Sequence, residues 1–426
     1  MGYKSYPQKY PLPRVISLMP TPRTIHYGWV VVFAGLLTIV AVLGLGRFSL
    51  GMLLPSMATD LDLGYSRMGF IGTGNFIGYL LGVLISSRLV SRFGHRLVIS
   101  GGVCLVGVSM ILVGKATGFT QILAAFFVTG IGSGLGNVPV MGLVSHWFGP
   151  SLRGRAAGIM VSGIGLGIMI TGLLIPMVNG WSEQGQGWRM NWMVLGGVVL
   201  LIALFCSLLI RNNPDEMGLQ PLERTGKTKK HKSPDPHPLS GSRRTLLHLG
   251  TLYFFFGFTY VIYVTFVVTT LIGQYDFSEA VAGRFWFWFG LIGMASGPLF
   301  GSLSDHIGRA RTLALVYGLQ GVCHVLLAFN PVPGSIYLSI GLFALCAWSV
   351  PSIMAAAVGD YLGPLRAAAA FATVTLFFSI GQISGPALAG IMAERSGDFS
   401  QAYLLAGLLT AVAAFMSFRL PRTGDQ

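Results

Sequence analysis

From Tyr27 to Leu420 the chain is a succession of about a dozen apolar stretches, and the later ones repeat the earlier ones at a fixed offset. Most are close to ~20 residues long, the length at which a helix crosses a bilayer core. Arg92-Phe93-Gly94-His95-Arg96 follows the second stretch, and His306-Ile307-Gly308-Arg309 returns with Gly308 214 positions after Gly94. Trp147-Phe148-Gly149-Pro150 and Tyr361-Leu362-Gly363-Pro364 are separated by the same 214. Two matching halves in a membrane imply a carrier, because such repeats build a site where they meet.

Composition limits the alternatives. Hydrophobic residues make up 53% of the chain, charged residues only 10%, and the mean hydropathy is +0.69. A soluble domain carries roughly 25% charged residues. The 59 glycines suit membrane helices that pack through small faces. Residues 1–26 are Pro-rich and basic, and the first apolar run is too long for a cleavable signal. Cys104, Cys206, Cys323 and Cys346 all lie in apolar runs and read as small packing residues.

The hydropathy pattern predicts an all-α membrane protein with helices over 28–57, 67–90, 97–115, 119–146, 154–180, 189–210, 245–272, 279–302, 310–330, 335–359, 365–392 and 399–418. That gives a tail (1–27), a six-helix unit (28–210), a linker (211–244), a second six-helix unit (245–418) and a short tail (419–426). Twelve spans put both ends on one side. The tails and the loops between even and odd helices hold 22 of the 28 Lys and Arg, so the positive-inside rule makes that side cytoplasmic. The net charge of +14 follows from this topology and does not indicate nucleic acid. The basic, Pro- and Ser-containing linker reads as flexible and close to anionic lipid.

These residues resemble the major facilitator superfamily over essentially the whole chain. The family's loop motif, Gly-x-x-x-Asp-Arg/Lys-x-Gly-Arg/Lys-Arg/Lys, lies between helices 2 and 3 and recurs between helices 8 and 9. The second copy is kept as Gly301, Asp305, Gly308, Arg309 and, displaced by one, Arg311. The first copy departs: Ser87 stands for the Gly and Ser91 for the Asp, while Arg92, Gly94 and Arg96 remain. The resemblance implies two pseudo-symmetric six-helix bundles. It makes Arg92, Gly94, Arg96, Asp305, Gly308 and Arg309 gating structure, with the latch of the first half weakened by the missing acid.

Within the superfamily, His26-Tyr27-Gly28-Trp29, the segment Arg153-Gly154-Arg155-Ala156-Ala157-Gly158 and Asn213-Pro214-Asp215-Glu216-Met217-Gly218-Leu219 resemble the monocarboxylate and oxalate/formate branch. The acidic, Gly-rich helix 1 signature of the animal carriers is absent. Gly44-Leu45-Gly46-Arg47-Phe48 and Asn75-Phe76-Ile77-Gly78-Tyr79 also resemble a little-studied group of bacterial facilitators. Drug/proton antiporters carry an Arg ahead of the helix 4 Gly run; the Phe126-Phe127 region has none.

Arg47 is the foremost candidate ligand. It lies deep in the first helix, where a charge costs at least ~2.5–3.5 kcal/mol unless it faces a cavity or partner. Its planar fork suits a carboxylate; the competing reading is an Arg that snorkels or bonds backbone carbonyls. Tyr260, at offset 213, is its counterpart in helix 7 and offers a hydroxyl, with Tyr263 on the same helix. Arg284 reads either as an outer-mouth anion attractor or as an interfacial Arg among aromatics. Asn75, Asn137 and Gln382 are mid-span amides that either line a cavity or bond a neighbouring helix.

The fourteen Asp and Glu all fall in loops, tails or helix ends, so an acid-free interior with one Arg favours an anionic substrate over a cation. His324 reads as packing. No phosphate cradle, metal-ligand spacing or catalytic constellation is present, so no cofactor and no enzyme activity are expected. The expected protein is a monomeric multi-pass carrier of a small organic anion, a monocarboxylate in kind, in a cell membrane of bacterial inner-membrane type. Proton or counter-anion coupling is open. The alternatives are an exporter of neutral or amphipathic compounds with Arg47 structural, and a non-transporting membrane sensor.

Overall fold

The computed structural model describes residues 26–181, 186–223, 242–330, 334–363 and 366–420. Most of the N-terminal tail, the basic part of the linker and the last residues of the C-terminal tail lie outside them. The described residues are almost wholly helical. That is the expected outcome for long apolar runs, since backbone polar groups in hydrocarbon have to pair within their own segment.

The helices are α1 (Tyr27–Leu61), α2 (65–93), α3 (95–115), α4 (Phe119–Trp147), α5 (Pro150–Asn179) and α6 (Gly187–Leu209) in the first half. The second half has α7 (Ser242–Gly273), α8 (Glu279–Ile307), α9 (Arg309–Phe329), α10 (Ser335–Leu362), α11 (Ala367–Ser396) and α12 (Ser400–Phe418). Among the described residues, ten runs are long and apolar enough to cross a membrane. One of them, Tyr65–Lys115, breaks at Gly94 into α2 and α3. The twelfth, α8, carries Glu279, Arg284 and Asp305 and stands out by length instead. Side chains such as Leu84, Leu173, Leu201, Leu408 and Phe415 are exposed around the outside, an apolar belt far larger than a soluble protein shows.

The sequence repeat is also a backbone repeat. Gly94 has φ 78° and ψ 163°, and Gly308, its counterpart, has φ 91° and ψ 153°. A residue with a Cβ is strained at such φ values, so glycine marks the α2–α3 and α8–α9 breaks alike.

The bundles join along α2–α11, α5–α8 and the outer part of α1 with α7. Glycines make that seam. A Cβ on Gly69 would lie 2.2 Å from the Pro386 carbonyl oxygen, and one on Gly172 or Gly283 would meet the other's carbonyl at 2.6 or 2.4 Å. Ser66 N–H donates to Glu394 (3.1 Å), Thr73 Oγ1 to Ile383 O (2.7 Å), and Asn179 to Glu279. These contacts lie on the side away from the chain ends, here the far face. Toward the terminal face α4 and α10 make no extended contact, and Ser352 and Ala355 of α10 are exposed. The molecule is closed on the far face and parted on the terminal face.

The first part of the linker is not free. Residues 211–223 clasp the first bundle: Leu222 N donates to Trp147 O (2.9 Å), Gly149 N to Leu222 O (3.0 Å) and Trp147 Nε1 to Arg211 O (3.2 Å). Pro and polar residues pointed to a flexible segment, but these residues supply partners to helix ends whose carbonyls and N–H groups would otherwise be unpaired. The basic residues from Lys227 to Lys232 fall outside the described residues.

Candidate functional site

The local backbone explains how Arg47 is presented. Val40–Phe48 is π-helical, a widened turn that occurs inside α-helices and frequently at functional sites. Gly44 in that stretch lies against Gly167 of α5, where an added Cβ would sit 2.6 Å from the Gly167 Cα. Arg47 is 8% exposed. Its Nε donates to Asn75 Oδ1 at 3.2 Å, and Asn75 Nδ2 is itself anchored on Phe126 O at 3.0 Å. The guanidinium carbon lies 4.2 Å from the ring centroid of Tyr79 and 5.0 Å from that of Phe76.

Nη2 of Arg47 is buried with no hydrogen-bond partner among the described residues. The ion pairs among the described residues are Arg189–Asp60, Arg309–Asp305 and Arg309–Asp360, so no carboxylate neutralises Arg47. A small cavity of about 20 Å³, enough for about one water, lies beside it between α1, α2, α4 and α7.

Two tyrosines stand within electrostatic reach of the guanidinium, Tyr79 from the first bundle and Tyr260 from the second. Each is oriented by an amide. Asn137 Nδ2 donates to the Tyr79 hydroxyl at 2.8 Å, and Gln382 Nε2 donates to the Tyr260 hydroxyl. An oxygen that accepts from an amide keeps its own proton to donate elsewhere. The site therefore offers an unpaired guanidinium N–H and two free O–H groups, with no negative charge.

Arg47, Asn75, Asn137, Tyr260 and Gln382 are thus brought together. Tyr263 is not. It is fully buried in the second bundle, its hydroxyl bonded to Ser339 (2.8 Å) and its ring stacked on Phe343. Arg284 is also apart, exposed near the start of α8. His324 packs inside the second bundle, hydrogen bonded to Gln320 O and Thr259 O. Tyr79 was not among the sequence candidates. Its signal was its i+4 spacing from Asn75 on one helix face.

At the terminal-face loops the two motif copies do different work. Arg309 donates to Asp305 (2.6 Å), to Ser304 (2.5 Å) and to Asp360 of α10 (2.8 Å). Asp305 therefore reaches a neighbouring helix through Arg309 and Asp360. In the first copy Arg92 is exposed, while Arg96 donates to Ser207 O at 2.6 Å and takes Asn212 onto its backbone N–H at 2.9 Å. That copy holds the end of α6 and the linker.

Two six-helix bundles around a buried, unneutralised arginine define a membrane transporter of the facilitator fold. The family model described as "Uncharacterised MFS-type transporter YbfB" matches residues 39–418. The chain belongs to that family of the major facilitator superfamily. It is similar to the hexuronate transporter of Bacillus subtilis, 24% identical over 89% of this chain and 91% of that protein. It is 29% identical to the 3-(3-hydroxy-phenyl)propionate transporter of Escherichia coli over 84% and 86% of the two chains. Human monocarboxylate transporter 2 is 22% identical over 95% and 87%. In fold, it matches a bacterial homolog of the lysosomal transporter Spinster in an inward-facing, occupied conformation, with TM-score 0.74, 17% identity, and 93% and 97% of the chains covered.

Proposed function

We propose that this protein is a secondary transporter of a small organic anion, a monocarboxylate, moved by alternating access through the Arg47 site. The observation that carries the reading is the unpartnered, unneutralised Nη2 of Arg47, flanked by the free hydroxyl protons of Tyr79 and Tyr260. A carboxylate satisfies all three donors at once. An unpaired donor in a buried site is costly when the ligand leaves, which couples binding to the state of the cleft. The relatives named for hexuronate, 3-(3-hydroxy-phenyl)propionate and monocarboxylate transport support an organic acid as cargo.

The lysine and arginine distribution supports a cell-membrane orientation with the terminal face cytoplasmic. The parted face is then the inward one. With no acid beside Arg47, the reading favours anion exchange, or symport in which the ligand carries the proton. A second reading, neutral cargo with a structural Arg47, draws support from Asn75 and the Tyr79 and Phe76 rings, which already hold part of the guanidinium.

Uptake of radiolabelled carboxylates into proteoliposomes, with and without a proton gradient, tests the proposal against Arg47→Gln. Saturable uptake that is lost in the variant is the expected result. Equal uptake by both proteins removes Arg47 from the site.

A further inference from the structure

We infer that the carboxylate carried by this protein has an aromatic body; the inference rests on the reading of Arg47 as its carboxylate site. The second bundle meets Arg47 with a wall of rings from three helices: Tyr260 of α7, Trp348 of α10 and Phe378 of α11. Tyr260 stands within electrostatic reach of the guanidinium, and the residue after Arg47 touches the wall. Phe48, the residue after Arg47, packs edge-on against Trp348 with ring centroids 5.3 Å apart, across the boundary between the bundles. Trp348 in turn stands edge-on to Tyr260 at 5.9 Å.

The rings behind Tyr260 are aligned. Tyr260 and Phe378 are 9° from parallel at 5.9 Å, Phe256 and Tyr260 13° at 4.8 Å, and Tyr253 and Phe378 18° at 4.6 Å. Stacks of this kind normally close on themselves in a core. Here Phe378 and Trp348 remain half-buried, although Tyr253, Phe256 and Tyr260, the rings stacked with Phe378, are buried. A flat ligand ring prolongs such a stack in offset geometry, with an attraction beyond its area alone.

The same wall argues against the other organic acids of similar size. Besides Tyr260, its partner Gln382, the Tyr253 hydroxyl and the unpartnered Nε1 of Trp348, the wall offers ring surface, so a polyhydroxylated acid would bury most of its hydroxyls without partners, at a cost in lost hydration. A short aliphatic acid would leave the rings uncovered. The arrangement fits one anionic group at Arg47 and one planar apolar group toward Trp348 and Phe378.

The test is uptake into proteoliposomes of 3-phenylpropionate, 3-cyclohexylpropionate, propionate, glucuronate and 3-phenylpropan-1-ol. The cyclohexyl acid keeps charge and bulk but has no π face. 3-Phenylpropionate should exceed it in kcat/KM by about threefold to tenfold, the scale of one aromatic pair. Trp348→Leu should erase that ratio and Trp348→Phe should keep it, with Phe378→Leu as the second probe if Trp348→Leu fails to insert. Equal rates for the phenyl and cyclohexyl acids, or preference for propionate or glucuronate, overturn the aromatic inference and leave the carboxylate reading standing. Equal transport of the alcohol and the acid overturns the carboxylate reading, and the inference with it. Transport of none of the five overturns the inference.

Discussion

His95 and His146 occupy, 214 positions earlier, the places of Arg309 and Asp360, and their rings meet edge-on at 5.0 Å where the second pair forms a 2.8 Å ion pair. Ser91 completes the correspondence by standing where Asp305 stands. The repeat has kept the contact between the loop and the fourth helix of each half, but has replaced its chemistry. One bundle closes its terminal corner with an ion pair, the other with two imidazole rings.

That asymmetry is measurable as stability. Arg309→Ala leaves Asp305 and Asp360 without their cation and should cost about 1 kcal/mol, since each partly exposed pair contributes little alone. His95→Ala should cost less. The double swap His95→Arg with His146→Asp should raise the thermal midpoint above both single swaps, because it rebuilds the ion pair of the other half. A double variant no more stable than the two singles would refute the equivalence of the corners.

The architecture was legible because its signals are periodic. Offset pairs such as Gly94/Gly308 and Gly149/Gly363 need only the sequence, and the backbone angles at Gly94 and Gly308 repeat with them. The facing of side chains was less so. The π-helical stretch Val40–Phe48 shifts the phase of α1, so a regular helical wheel begun at Tyr27 misplaces everything after Val40. Tyr263 looked as available as Tyr260, three positions before it, yet Ser339 and Phe343 hold it in the bundle core. Nothing local in the sequence distinguishes the two; the partner helix does.

The two oriented hydroxyls separate affinity from architecture. Tyr79→Phe and Tyr260→Phe each delete one O–H donor while keeping the ring. A hydrogen bond to a charged group contributes about 1.5–3 kcal/mol, so each should raise KM for a transported carboxylate by about tenfold or more. The double variant should fall short of the product of the singles, because both donors serve one anion. Concentration dependence of initial uptake checks this; unchanged KM in both singles would show that neither hydroxyl meets the substrate.

The clasped linker gives a prediction away from the site. Asn212 accepts from the Arg96 backbone N–H at 2.9 Å and donates to Glu216 at 2.8 Å. Asn212→Ala should loosen residues 212–216 from the first bundle, while the Leu222 bonds to Trp147 and Gly149 still hold the far end of the linker segment. Hydrogen exchange should accelerate across 212–216 while α3 and α6 keep their protection. Equal acceleration in the helices would instead mean that the clasp holds the bundle itself together.

The far-face seam should set which side the cleft opens to. At Gly69 a side chain would collide with the Pro386 backbone oxygen, which cannot swing aside. The collision exists only while the far face is closed, so Gly69→Val should not block folding but should shift the population toward far-face opening. Thr265 lines the small cavity beside Arg47 and serves as reporter. In a background lacking the four native cysteines, Thr265→Cys should react with a membrane-impermeant maleimide from the far face faster when Gly69→Val is present. Gly101→Val, at a position with nothing within 4 Å of the added carbon, should leave the rate alone. Identical labelling in the Gly69→Val and parent proteins would mean that this glycine contact does not limit opening.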